Sequence, residues 1–143
     1  MSKEPFDKIE NPSHYAQHKI EHIDLVEAWF CTYDYYLGNV LKYIARYRYK
    51  GTPKEDLEKA LWYLKRRRKI QPFRITETNQ IELTPGEVGI DWELPPMMAG
   101  VLLYIYDFLV TGKEEYLDYA ISALEAIILE YEGGPDGTDE TSS

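Results

Sequence analysis

The sequence has 143 residues, of which 44% are hydrophobic and 29% charged, a composition typical of one folded domain or of one core with an appended helical unit. Its single cysteine, Cys31, excludes an intrachain disulfide and a thiolate metal cluster, and we expect this thiol to be packed and unreactive. A formal net charge of −9 argues against nucleic acid as a partner, because a long polyanion would be repelled at a distance.

The charge is distributed unevenly along the chain. Residues 42–74 carry twelve Lys and Arg against three acids, whereas residues 75–143 carry one Lys against fifteen acids. A basic patch within an acidic protein could hold a small anion such as a nucleotide. Alternatively, the basic helix packs beside an acidic one and the two sets of charges offset each other.

Hydrophobic spacing predicts a mainly α fold, a helical bundle of about five helices with a short β-hairpin in the middle. The helices are expected at about residues 20–30, 36–49, 53–69, 96–110 and 113–131. Thr52 is predicted to cap the third helix, with Glu55 completing a capping box. The hairpin is predicted within residues 73–84, where apolar and polar residues alternate, and residues 85–96 are expected to form a loop.

These elements suggest five segments along the chain. They are a flexible arm (1–10), a helical region (11–72), a hairpin or loop connector (73–96), an acidic helical hairpin (97–132) and a disordered tail (133–143). The most apolar run is shorter than the roughly 20 residues that span a bilayer, and the first residues lack an apolar signal core. We therefore expect no membrane association and a cytoplasmic location.

Polar side chains recur at spacings of three and four on the second and third predicted helices, so each set shares one face. They are Asn39, Lys42, Tyr43, Arg46 and Lys50 on the second helix, and Asp56, Lys59, Tyr63 and Arg66 on the third. If the helices pair through their leucines, the stripes could flank a groove in which Lys and Arg bind phosphate and Tyr stacks on a base. The alternative is an ordinary solvated helix face.

Several short motifs occur in a fixed order over residues 11–69. They are Asn11-Pro12-Ser13-His14-Tyr15, Ile20-Glu21-His22-Ile23-Asp24, Glu27-Ala28-Trp29, Leu37-Gly38-Asn39, Lys42-Tyr43, Arg46, Lys50-Gly51, Glu55-Asp56-Leu57 and Lys59-Ala60-Leu61-Trp62-Tyr63-Leu64. This series resembles a family of small nucleotide kinases that are encoded by tailed phages and have no P-loop. No G-x-x-x-x-G-K-[ST] motif is present, so an ordinary P-loop kinase is excluded.

The resemblance implies a phage protein of the infected bacterial cytoplasm that transfers a phosphoryl group from a nucleoside triphosphate to a deoxynucleoside monophosphate. Lys42 and Arg46 would neutralise the transferring phosphoryl group, and His14 would orient the acceptor phosphate or shuttle a proton. Substrate binding is predicted for Tyr15, Asn39, Tyr43, Lys50, Lys59 and Tyr63. Magnesium could accompany the nucleotide, while any metal ligands in the protein remain unknown.

Other functions stay open at this point. The same groove would suit a nucleotide-binding protein without turnover, and the acidic second half could cover a host protein as an inhibitor. His14, His18 and His22 would align for zinc if one helix ran through all three, and Glu21, Asp24 and Glu27 could hold magnesium. The basic run 65–69 could contact nucleic acid or simply complement the helix dipole. Short helices with a split charge pattern also suggest a homo-oligomer.

Overall fold

The computed structural model describes residues 19–49, 51–70 and 81–133, and within these ranges the chain is helical with no strand. It contains six α-helices: α1 (His22–Ala28), α2 (Tyr35–Arg46), α3 (Pro53–Lys69), α4 (Pro85–Asp91), α5 (Pro96–Thr111) and α6 (Glu115–Gly133). A short 3₁₀ helix, Cys31–Tyr33, links α1 to α2. The mainly α prediction is therefore confirmed, with six described α-helices where about five were predicted.

The helices α2 and α3 pack against each other through the leucine faces that the sequence predicted. Their fully buried residues are Leu37, Val40, Leu41 and Ile44 on α2 and Leu57, Ala60 and Leu64 on α3. Two details differ from expectation. α2 ends at Arg46 and continues as a turn over 47–49, and the side chain of Thr52 makes no capping hydrogen bond at the start of α3. Pro53 occupies the first helical position, where its fixed φ favours the start of α3 without that hydrogen bond.

The second half of the chain contributes to the same core. α6 packs against both α5 and α3, so that its buried residues Leu117, Ala120 and Leu124 belong to the same cluster as the leucines of α2 and α3. α5 buries one face, which extends from Met98 to Leu109. None of the described helices combines the length and the apolar character that crossing a bilayer would require.

Charges on α3 and α6 face each other. Arg68 contacts Asp118 at 2.8 Å and Glu114 at 3.0 Å, and Lys65 contacts Glu125 at 3.1 Å. The interpretation in which basic and acidic helices offset each other is therefore correct for this end of α3. These side chains are about one-third to one-half exposed, so each pair stabilises the fold only weakly.

One cation of the basic run is buried. The side chain of Arg67 is 1% exposed, and its Nε donates to Asp34 Oδ2 at 2.7 Å. Asp34 also caps α2, since its Oδ1 accepts from the backbone N–H of Leu37 at 2.9 Å. The Arg67 guanidinium lies 5.1 Å from the ring centre of Phe108 on α5. This pair therefore ties the start of α2 to the end of α3 and to α5.

The loop predicted for residues 85–96 is wrong, because α4 occupies its first half. Thr84 Oγ1 accepts from the backbone N–H of Glu87 at 3.2 Å, and Glu87 Oε1 accepts from the backbone N–H of Thr84 at 2.9 Å. Together with Pro85 at the first helical position, this capping box starts a helix where the sequence pattern was read as a loop.

The predicted β-hairpin is not seen either. Its proposed tip lies outside the described residues, but residues 81–84 are described and form no strand. Leu83 has φ of 65°, in the left-handed region, which interrupts extended backbone. Its carbonyl instead accepts a 2.7 Å hydrogen bond from Trp29 Nε1, which anchors this segment to the end of α1.

The end of α4 holds the chain that leads into α1. The Asp91 carboxylate accepts from the backbone N–H groups of Lys19 at 3.2 Å and Ile20 at 2.9 Å. Trp92 Nε1 donates to the Ile20 carbonyl at 2.6 Å. The second half of the protein therefore fixes the position of α1, which carries part of the site described below.

Cys31 is buried, with 2% of its surface exposed, as the sequence predicted. Burial, followed by the nearby carboxylate of Asp34, raises the pKa of the thiol. We expect no reaction of the folded protein with 5,5′-dithiobis(2-nitrobenzoic acid) at neutral pH and labelling of one thiol per chain in denaturant. The absorbance of the thiolate that the reagent releases measures labelling of the folded and of the denatured protein. Rapid labelling without denaturant would show that the 3₁₀ segment opens readily.

Candidate ligand-binding surface of α2 and α3

Aromatic rings from two helices form a connected cluster. Tyr43 on α2 and Tyr63 on α3 stack with ring centres 6.1 Å apart and planes 19° apart. Tyr35 and Tyr36, at the start of α2, meet the ring of Tyr63 at 5.8 and 6.5 Å, and Trp62 meets it at 5.0 Å. We call these five side chains the aromatic cluster. Tyr35 is 69% exposed, so the cluster presents ring surface to a ligand.

Three cations surround one ring of the aromatic cluster. Lys42 Nζ lies 5.3 Å from the ring centre of Tyr43, and Arg46 Cζ and Lys59 Nζ each lie 5.8 Å from it. We call Lys42, Arg46 and Lys59 the three-cation group. The ring attracts each cation, whereas the cations repel one another, and a bound anion would relieve that repulsion. Lys59 has one acidic neighbour, Glu55, at 3.8 Å.

The site residues predicted on these two helices are thus brought together where they are described. Lys42, Tyr43, Arg46, Lys59 and Tyr63 share one surface, because antiparallel packing of α2 and α3 aligns their polar stripes. His14, Tyr15 and Lys50 lie outside the described residues, and their roles stay predictions.

Two buried side-chain atoms, one on α2 and one on α3, have no hydrogen-bond partner among the described residues. Arg46 Nε is buried without a hydrogen bond, and so is Asp56 Oδ2. Asp56 was predicted to lie on the polar stripe of α3, but it is only 3% exposed, so it does not line a groove. Arg66, from the same stripe, instead packs over Trp62 at 5.1 Å. Of the predicted α3 stripe, Lys59 therefore belongs to the three-cation group and Tyr63 to the aromatic cluster.

A depression of about 320 Å³ lies beside the three-cation group, between α1 and α2. Its polar lining includes His22, Thr32, Asn39 and Lys42. Asn39 Nδ2 donates to the Tyr35 carbonyl at 2.9 Å, which holds the amide in place at the wall. Because Lys42 belongs both to the depression and to the three-cation group, the two features form one continuous polar surface.

Several residues of this surface were not predicted from the sequence, namely Tyr35, Tyr36 and Trp62 of the aromatic cluster and His22 and Thr32 of the depression. Burial lowers the pKa of His22, and the charges of Lys42 and Arg46 lower it further, against smaller opposing effects of Glu21 and Asp24. No spacing in the sequence links position 22 to positions 42 and 46. The link comes from the packing of α1 on α2.

The metal sites considered from sequence find no support in the described part of the chain. His22 opens α1, and residues 19–20 form a bend held by Asp91, so one helix does not run through His18 and His22. Asp24 Oδ2 accepts from the backbone N–H of Glu21 at 2.9 Å, which is a helix-capping role. No group of three His, Cys, Asp or Glu side chains arranged for a metal occurs among the described residues.

A separate hollow of about 510 Å³ lies between the turn after α2, the start of α5 and the end of α6. Its lining is apolar apart from Glu130 and the hydroxyls of Tyr47 and Tyr131. It offers no cation to a phosphate. A third cavity, about 670 Å³ at the start of α3, contains Lys54 beside Glu55 and Glu58, so its cation is offset by acids. Of these three cavities, the depression beside the three-cation group is therefore the one suited to an anionic ligand.

Comparison with known proteins matches residues 9–65 to the model of a family described as a protein of unknown function, DUF3310. The match covers the α1–α3 region that carries the candidate surface, and less than half of the chain. It corrects the resemblance inferred from the sequence, since the matching family is one of unknown function and not the nucleotide kinases. No curated protein and no solved structure matches the chain.

Proposed function

We propose that the surface formed by α1, α2 and α3 binds a nucleotide, with its phosphates at the three-cation group and its base on the aromatic cluster. The observation that carries the proposal is the grouping of Lys42, Arg46 and Lys59 around the ring of Tyr43, which itself stacks on Tyr63. Nucleotides are common metabolites that join negatively charged phosphates to a flat aromatic base. Both halves of such a ligand then find a partner on the same surface.

The phosphate half is supported by the local charge. The protein as a whole has a net charge of −9, yet among residues 19–49, 51–70 and 81–133 Glu55 is the only acid in ion-pair contact with the three cations. Elsewhere on α3, Lys65 and Arg68 are each paired with acids of α6. Within the described part of the chain, Lys42 and Arg46 therefore have no acid in ion-pair contact, and their charges are available to a phosphate.

The base half is supported by the geometry of the rings. Tyr35 and Tyr63 meet edge to face at 5.8 Å, and the hydroxyl of Tyr35 raises the pKa of Tyr63 by hydrogen bonding to it. Tyr35 and Trp62 are 69% and 53% exposed, so both present ring surface to solvent. Stacking of a base on such a ring contributes about 1–3 kcal/mol.

Phosphoryl transfer is the catalytic form of the same proposal. Because Glu55 offsets part of the charge of Lys59, the three-cation group carries a net charge of about +2, which is enough to balance one phosphate group of about −1.5 to −2 at neutral pH. Lys42 and Arg46 would stabilise the transferring phosphoryl group from a nucleoside triphosphate, and the acceptor would be a deoxynucleoside monophosphate. Binding without transfer remains the simpler form.

The test measures binding and turnover on one protein sample. Isothermal titration calorimetry with ATP and with each deoxynucleoside monophosphate, with and without magnesium, is expected to give saturable binding to at least one of them. The parent nucleosides are expected to bind at least tenfold more weakly, since they lack the phosphate. Chromatography of the same mixtures detects diphosphate products, which would establish transfer. Absence of heat and of product across the panel would refute nucleotide binding.

A further inference from the structure

We propose that His22 completes the phosphate site and that it binds phosphate as an imidazolium, so that ligand binding is coupled to proton uptake. This inference rests on the proposed function and adds to it a residue and a protonation step. Its basis is the position of His22 in the depression that also contains Lys42 and Asn39.

The surroundings of His22 set its protonation in the free protein. Lys42 and Arg46 act on it from α2, Glu21 and Asp24 from its own helix, and Asp34 and Tyr35 line the depression at the start of α2. Burial and the two cations outweigh Glu21 and Asp24, so the pKa of His22 lies below the ordinary 6.5 and the neutral form predominates at pH 7. A neutral imidazole adds no charge to a site that already holds two cations.

A bound phosphate reverses this balance. A dianion beside Lys42 and Arg46 cancels their field at His22 and adds an attraction of its own, and both effects favour the imidazolium. The sign follows directly: the pKa of His22 is low in the free protein and higher in the complex. Between the two values the complex binds protons more fully than the free protein, so ligand binding takes up a fraction of a proton and becomes tighter as the pH falls through that interval.

Hydrogen bonds from the second half of the protein fix the position of His22. Asp91 and Trp92 hold the backbone at residues 19 and 20, directly before His22, so the imidazole is placed from the second half of the protein. His22 is therefore not simply a surface histidine near cations. It lies on a helix whose entry is fixed by three hydrogen bonds with lengths of 2.6 to 3.2 Å.

The experiment follows the His22 ring proton by NMR as pH is varied, with the resonance assigned by its loss in His22→Gln. The probes are ATP without magnesium and adenosine, which can stack but carries no phosphate. In the free protein the pKa of His22 is expected below 6.5, and Lys42→Met is expected to raise it. Saturating ATP is expected to raise the pKa by about one unit, which corresponds to tenfold tighter proton binding, and adenosine is expected to leave it unchanged.

Each other outcome overturns the inference in a distinct way. If ATP shifts the ring resonances of Tyr43 and Tyr63 while the pKa of His22 stays constant, nucleotide binding stands and the role of His22 is wrong. If adenosine raises the pKa as much as ATP does, the effect comes from burial under the base and not from phosphate. If no resonance responds to ATP, the proposed function and the inference both fail.

Discussion

Replacing Arg67 by alanine is expected to lower the free energy of unfolding by about 3–5 kcal/mol, the largest stability effect we predict for a single substitution. The change leaves the Asp34 carboxylate, 8% exposed, without the cation that lies 2.7 Å from it. It also removes the guanidinium that packs on Phe108. Urea denaturation followed by circular dichroism measures the loss.

The neighbouring position provides a matched control. Arg66→Ala removes the same side chain from an exposed site over Trp62, and we expect a change within about 0.5 kcal/mol. The double variant Asp34→Asn with Arg67→Met removes both buried charges and is expected to be more stable than Arg67→Ala. If Arg67→Ala costs no more than Arg66→Ala, the buried pair does not hold α2, α3 and α5 together.

Replacing Lys42 by methionine is expected to weaken nucleotide binding by about 10-fold to 150-fold, from the loss of a charge-assisted contact of roughly 1.5–3 kcal/mol. Lys42 contributes to both the three-cation group and the depression with His22, so its removal affects the whole phosphate site. Methionine keeps the length and apolar stem of the side chain, which limits any effect on packing. Calorimetric titration with the tightest nucleotide of the panel measures the change.

Lys54→Met is the matched control for this prediction. Lys54 lies in the first turn of α3, exposed and 3.7 Å from Glu58, and it is not part of the surface described here. Its substitution removes the same charge from the protein, and we expect less than a twofold change in affinity. Equal losses in both variants would show that the ligand responds to net charge and not to a defined site.

Helical periodicity was sufficient to predict where Lys42, Tyr43 and Arg46 lie relative to one another. Their spacing fixes a common face of one helix, and burial of Leu37, Leu41 and Ile44 on the opposite face follows from the same period. The pairing with Lys59 and Tyr63 required only that two consecutive helices pack as an antiparallel hairpin. These are local consequences of sequence, and they account for the part of the candidate surface that the sequence argument assembled.

The remaining features depend on contacts between distant parts of the chain. His22 joins the surface because α1 packs on α2 and because residue 91 holds residues 19 and 20. Arg67 is buried because one position of a basic run faces Asp34, 33 residues earlier, which periodicity alone does not reveal. The loop predicted over residues 85–96 was wrong for a different reason. Thr84, Pro85 and Glu87 form a helix-start signal that is visible in the sequence, and this signal outweighs the loop-like composition of the residues after it.

The most direct test of nucleotide binding at the α1–α3 surface is a ¹H–¹⁵N NMR titration of the labelled protein with ATP. We predict that the largest shift changes fall on the backbone amides of residues 22, 39–46 and 59–63, around the three-cation group and the depression. Amides around the apolar hollow, such as those of Met97, Met98 and Ile127, serve as the internal control and are expected to change little. Changes centred on that hollow, or spread evenly over the protein, would contradict the account.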